Sequence, residues 1–177
     1  MLVGIGYYVW AKKIERQTEY ASIRVGMSPA EVKYIKGYPP HVLGPPETQG
    51  EFKGTQPVID TNEIEKGKTV EGYTEWAYEV DHHRIDVTFN SARTAVIVVQ
   101  CYSDDKLRRC PAIAGIADGN TEQEVVHRFG QPDRSEISGV SKNMFYPRIG
   151  VFFWLTQERV YMLGINDPKY GYVSEKK

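Results

Sequence analysis

The residues with the most evident chemical potential are Asp81-His82-His83-Arg84, a carboxylate, two imidazoles and a guanidinium in a row. Histidine beside aspartate serves acid–base chemistry or metal ligation, and both uses require the side chains to converge. On a strand, His82 and His83 point to opposite faces and share no ligand. On a turn they converge, yet no serine, cysteine or glutamate nucleophile stands in a recognisable setting beside them. The sequence therefore predicts a hairpin turn, with an enzymatic or metal-binding site around His82-His83 as the alternative. His127 follows Val125-Val126 in a short predicted helix and reads as a surface or packing residue rather than a base. Gly4 and Gly6 lack the strand–turn–helix setting of a phosphate-binding loop. No enzyme, cofactor or metal site emerges.

The two cysteines, Cys101 and Cys110, flank the polar stretch Tyr102-Ser-Asp-Asp-Lys-Leu-Arg-Arg109. The pairing we favour is a disulfide closing that loop, worth about 2–3 kcal/mol through loop entropy. It implies an oxidising compartment such as a bacterial periplasm. Free thiols in a reducing cytoplasm are the other reading. No further Cys or His pair lies close enough in sequence for a metal site.

The interaction signal is Val151-Phe152-Phe153-Trp154-Leu155. On a strand, Val151, Phe153 and Leu155 face one side while Phe152 and Trp154 face the other, so both faces are apolar. In the matching strand Ile85–Phe89, Asp86 and Thr88 occupy that second face. Either the neighbouring repeat or the N-terminal segment covers Phe152 and Trp154, or they form a partner-binding patch. Trp76 and Tyr78, on an alternating strand, complete the partner-binding candidates.

The chain has 177 residues, ordinary apolar and charged fractions and a net charge of −1. No basic run exceeds Lys106-Leu-Arg-Arg109, so nucleic acid is not the expected partner. Residues 1–11 carry no charge and are followed by Lys12-Lys13. They make about half the length of a membrane-crossing helix, and no small-residue cleavage site follows, so they are a poor signal peptide. Three readings stay open: the second half of an anchor that starts upstream, a segment packed on a membrane partner, or a structural element of the domain. Tyr7, Tyr8 and Trp10, just ahead of the lysines, suit an interfacial belt and are the membrane-proximal candidates.

Two stretches must position these residues, and they match without a gap. Ile23, Gly26, Ser28, Glu31-Val32, Gly37 and Pro39 recur 93 residues later as Ile116, Gly119, Thr121, Glu124-Val125, Gly130 and Pro132. Ser28 or Thr121 with a glutamate three residues on is a capping box. The glycines suit a left-handed helix end, and the prolines stop continuation. Residues 12–22 read as a stalk or first helix, and 41–72 as a long polar loop. Strands are predicted over 74–78, 85–89, 94–101, 143–146, 149–153 and 160–163, with a turn at Asn90–Arg93 and a polar tail over 167–177. Ile85, Val87, Phe89 and Val96 match Ile149, Val151, Phe153 and Val160 at an offset of 64. The fall from 93 to 64 assigns 29 extra residues to the first unit, in the 41–74 stretch.

The pattern hydrophobic-x-x-Gly-Met/Asn-Ser/Thr-x-x-Glu-Val, then Gly-x-Pro and an alternating hairpin, resembles the SmpA/OmlA (BamE-like) domain over roughly residues 20–103 and 110–166. Two tandem copies resemble the β-lactamase-inhibitor-protein-like architecture. The resemblance implies an envelope protein that binds other proteins through its sheet and loops, without catalysis. Two departures limit it. No cysteine precedes Cys101 to carry the lipid of the lipoproteins, and Asn90–Arg93 lacks the acidic hairpin residue of the inhibitors.

The resulting expectation is an α+β fold, a tandem repeat of a short helical segment plus a three- to four-stranded antiparallel sheet. Residues 1–19 form a membrane-proximal or anchor segment. Residues 20–103 form a first repeat with its insertion at 41–74, residues 104–166 a second, and 167–177 a tail. The expected function is a non-catalytic protein-binding or assembly subunit of the bacterial cell envelope, within a membrane-associated complex. It sits on the periplasmic side, with N-terminal anchoring in the inner membrane as an option. The partners are other proteins, with membrane contact through residues 1–11; the alternative is a secreted or periplasmic enzyme inhibitor of the β-lactamase-inhibitor-like type.

Overall fold

Ser28 and Thr121 each start a helix of eight residues, and both capping boxes form. Ser28 accepts from the Glu31 N–H while Glu31 accepts from the Ser28 N–H; Thr121 and Glu124 do the same. Each helix has one fully buried side chain, Val32 or Val125. A cap contributes about 1 kcal/mol and a buried valine about 1.5–3, so the caps are a large share of what holds these helices. Gly37 and Gly130 end them with φ of 83° and 81°, but ψ of −171° and −170° is extended rather than left-handed helical. That region belongs essentially to glycine.

The computed structural model describes residues 14–44, 56–80, 82–103 and 110–169. In chain order these give β1 (Glu19–Tyr20), β2 (Ile23–Arg24), α1 (Pro29–Lys36), β3 (His41–Leu43) and β4 (Val58–Asp60). Two short 3-10 turns follow, Thr61–Glu63 and Val70–Gly72. Then come β5 (Glu75–Val80), β6 (His83–Phe89), β7 (Val96–Ser103), α2 (Glu122–Phe129), β8 (Arg134–Ser138), β9 (Ser141–Tyr146), β10 (Val151–Thr156) and β11 (Arg159–Asn166). β1 and β2 form a hairpin of their own. The other nine strands form one antiparallel sheet in the order β4-β3-β5-β6-β7-β11-β10-β9-β8.

This overturns the expected α+β repeat with a separate three- to four-stranded sheet in each copy. The fold is mostly β, with one continuous sheet. The reason lies at the seam, where Val99, Gln100 and Cys101 of β7 pair with Ile165, Gly164 and Leu163 of β11. Two separate sheets would leave both strand edges with unpaired backbone groups; joining them satisfies those groups. The seam also explains Gly164. A Cβ there would lie 2.4 Å from Val99 O and 2.6 Å from Phe152 Cζ.

Three local expectations change as well. Residues 14–18 have no regular structure and Glu19–Tyr20 is strand, so no helix forms over the described part of 12–22. The 41–74 stretch contributes β3 and β4, which extend the sheet beyond β5. β8, Arg-Ser-Glu-Ile-Ser, forms the opposite edge without apolar alternation.

The core lies on one face of the sheet. Tyr78, Ile85, Cys101, Leu163, Phe153 and Met144 are successive cross-strand partners. Trp76, Val87, Val99, Ile165, Val151 and Tyr146 form the next row. Val32, Val125, Tyr20 and Ile23 bring both helices and the β1–β2 hairpin into the same buried cluster. No described helix is long and apolar enough to cross a membrane.

Candidate interaction surfaces

The cysteines pair: Cys101 and Cys110 form a disulfide with an S–S distance of 2.04 Å. Both sulfurs belong to buried residues. The Cys110 N–H donates to Asp118 Oδ1 at 2.7 Å, and the Tyr20 hydroxyl donates to Pro111 O at 2.8 Å. The N-terminal hairpin is thus tied to the backbone just after the disulfide. Burial, then the Asp118 charge, pushes the Tyr20 hydroxyl pKa up.

Trp76 and Tyr78 do not present a contact surface. Trp76 is 0 % exposed; its Nε1–H donates to Val70 O at 2.8 Å and its ring meets Phe89 edge-on at 4.7 Å. The Tyr78 hydroxyl donates to Gly37 O at 3.3 Å, and burial raises its pKa. Both belong to the core because an alternating strand aims Trp76, Tyr78 and their cross-strand partners at the helices. Phe152 is on the opposite face, paired across the ladder with Gly164 and Phe145, yet it is fully buried. Trp154 shares that face, half-buried, with its ring 6.4 Å from that of Tyr161. Tyr7, Tyr8 and Trp10 lie outside the described residues, as does Asp81.

His82 is exposed in a turn with φ of 68°, and His83 begins β6. Among the described residues, no group of three His, Cys, Asp or Glu could hold a metal ion. His127 is exposed near the end of α2. In the 41–74 stretch, a cleft of about 890 Å³ lies between the β3–β4 strands and the 3-10 turns, lined in part by Leu43, Ile59, Ile64, Lys68 and Tyr73.

The face opposite the core divides in two. On the β5–β7 side Arg84 Nε donates to Asp86 Oδ1 at 2.6 Å, and Gln100 Nε2 to Asp86 Oδ2 at 3.5 Å. Burial, reinforced by the Asp86 charge, pushes the Glu75 carboxyl up to about 7. On the β9–β11 side the same face carries Phe145, Phe152, Trp154 and Tyr161, with the Arg134 guanidinium 4.3 Å from the Phe145 ring centroid. Arg84 and Asp86 are alternate residues of β6, but the charged cluster was missed because Glu75 and Gln100 join them only through strand pairing.

A second surface was also missed. Tyr34, Tyr38 and Ile35, on and just after α1, are 92, 61 and 42 % exposed. The residues 93 positions later are His127, Arg128 and Gln131, all exposed and polar. The signal was present in the two aligned stretches, since the same cap, helix length and stop carry aromatic residues in the first and polar ones in the second. No family model, curated protein or solved structure matches this chain.

Proposed function

We propose that the chain is a non-catalytic protein-binding or assembly subunit of the bacterial cell envelope, working within a membrane-associated complex. The observation that carries this reading is the exposed aromatic surface of α1. Tyr34, Ile35 and Tyr38 face solvent where α2, built on the same cap, carries His127, Arg128 and Gln131. The fold does not require apolar side chains there, and exposed tyrosine is typical of binding hot spots. The Cys101–Cys110 disulfide supports an oxidising compartment. The shared caps and the matching turns support a duplicated unit of the SmpA/OmlA kind, placed on the periplasmic side. The uncharged residues 1–11 supply the membrane link in this reading.

The test is purification of the full chain from native membranes without reducing agent. The wild-type chain is expected to carry a stoichiometric partner, and Tyr34→Ser with Tyr38→Ser to lose it while keeping the wild-type circular dichroism spectrum. A chain that always runs alone sinks the proposal.

A further inference from the structure

We propose that β8 is a dimerisation edge, on which a second copy of this chain adds its own β8 antiparallel about a two-fold axis through Ser135. The pairing sets Arg134 of each copy opposite Glu136 of the partner subunit. It goes beyond the function proposed above and uses a different surface.

β4 and β8 are the outer strands of the nine-stranded sheet. An outer strand offers unpaired main-chain groups, and short length or a proline discourages their use. β4 has three residues and follows Pro57. β8 has five residues without proline. Four of the five are exposed, Ile137 to 74 %, so no described element covers this edge.

The direction of its main-chain groups follows from the turn. Gly139-Val140 joins β8 to β9, with Gly139 at φ of 59°, as a two-residue turn with glycine first requires. Such a turn closes on a hydrogen-bonded pair, here Ser138 and Ser141, and hydrogen-bonded pairs alternate along an antiparallel ladder. Arg134 and Glu136 therefore spend their main-chain groups on β9, while Ser135 and Ile137 turn theirs outward. The Asp133 N–H turns inward to Phe145 O at 3.0 Å, which bounds the usable edge.

A two-fold pairing forms bonds only where outward residues meet outward residues, so the axis passes through a residue of β8. Through Arg134 or Glu136 it sets like charges directly opposite, which is destabilising. Through Ile137 it leaves both charges without an opposite partner and runs into the Gly139 turn. Through Ser135 it forms two hydrogen bonds at the axis and places two Arg–Glu pairs in the close, non-hydrogen-bonded positions. Within one copy, Arg134 Nε lies 3.4 Å from Glu136 Oε1, and both side chains are exposed. Four charges of alternating sign then surround the axis. Because the pairing is isologous it closes at two copies.

The experiment is sedimentation of the full chain over a concentration series at low salt. The wild-type chain is expected to dimerise reversibly, and Arg134→Glu or Glu136→Arg alone to weaken the dimer roughly tenfold or more. An equimolar mixture of those two variants should regain the wild-type affinity, because each supplies the sign the other lacks. Both positions are exposed, so folding should be unaffected; circular dichroism checks this. Tyr34→Ser with Tyr38→Ser should leave the dimer unchanged. Cys101 and Cys110 are bonded to each other, so an added cysteine is the only free thiol. Ser135→Cys should cross-link on oxidation, since hydrogen-bonded partners stand about 5.5 Å apart, within disulfide reach. Ile137→Cys should not, because its counterpart is offset by about 14 Å along the strand. A chain that stays monomeric overturns the proposal. So does a dimer indifferent to the charge reversals, a mixture that fails to pair, or faster cross-linking through Ile137→Cys.

Discussion

The α1 and α2 regions of the molecule use the same backbone plan with different side chains. In the first, Gly26 N–H donates to Val96 O at 2.8 Å and Val96 N–H to Met27 O at 2.8 Å. In the second, Gly119 N–H donates to Val160 O at 2.7 Å and Val160 N–H to Asn120 O at 2.8 Å. A buried tyrosine then reaches the glycine ending each helix: Tyr78 to Gly37 O at 3.3 Å, Tyr146 to Gly130 O at 3.0 Å. The frame is common; the fillings are not. The second region packs Phe129, Tyr146 and Phe153 as a ring cluster and exposes polar residues on its helix. The first places Lys36 at the end of its helix and exposes Tyr34 and Tyr38. Apolar character has moved from the inside of one helix to the outside of the other, and that shift is where recognition is to be sought.

The largest expected effect separates the two helices at their last residue. Phe129→Ala should lose about 3 kcal/mol in urea unfolding, because it empties a site between packed rings. Lys36→Ala should change stability by about 0.5 kcal/mol or less. Equal losses would mean that the two places are not alternatives.

The junction comes next. Cys101→Ala with Cys110→Ala should cost about 2–3 kcal/mol through the loop they close. Because β7 and β11 pair across the seam, unfolding should remain a single transition for probes in either region. Separate transitions would show that the seam is weaker than its register implies.

The opposite face supplies a pH test of the charged side alone. The Glu75 carboxyl titrates at about 7 in the folded chain against an ordinary value of 4.5. The folded state therefore keeps the proton through a range in which the unfolded chain has lost it. Stability should fall as pH rises from about 4.5 to about 7 and level off above, by on the order of 2 kcal/mol. Burial raises the Asp86 carboxyl too, in the same sense. Glu75→Gln should flatten the slope in pH-dependent unfolding, and an unchanged slope would remove Glu75 from the account. The smallest effects should be the most alike. Ser28→Ala and Thr121→Ala should each cost about 1 kcal/mol by thermal unfolding, since their caps have the same geometry. A clear inequality would show that one helix depends more on its packing.

Much of the frame was legible because it rests on local rules. Ser28-Pro-Ala-Glu31 and Thr121-Glu-Gln-Glu124 declare helix starts through side chain-to-backbone bonds within four residues. Ile85-Asp-Val-Thr-Phe89 declares a half-buried strand through its period of two. β8 was illegible because Arg134 and Glu136 sit on an edge, where no buried face imposes alternation. Trp76 looked like a contact residue because a side chain's type does not tell which side of the sheet holds the helices. Tyr34 was the reverse case: its exposure follows from the helix being fixed by Val32 on its other side.

By itself, the sequence determined the two capping boxes and the six central strand segments, which depend on neighbours a few residues apart. Tertiary structure alone decided that the strands form one sheet, since β7 and β11 are far apart in sequence and meet to satisfy their edges. It also decided the chemistry of each face. Glu75 joins Arg84 and Asp86 through strand register, and Lys36 and Phe129 end the two helices at matching places with different side chains.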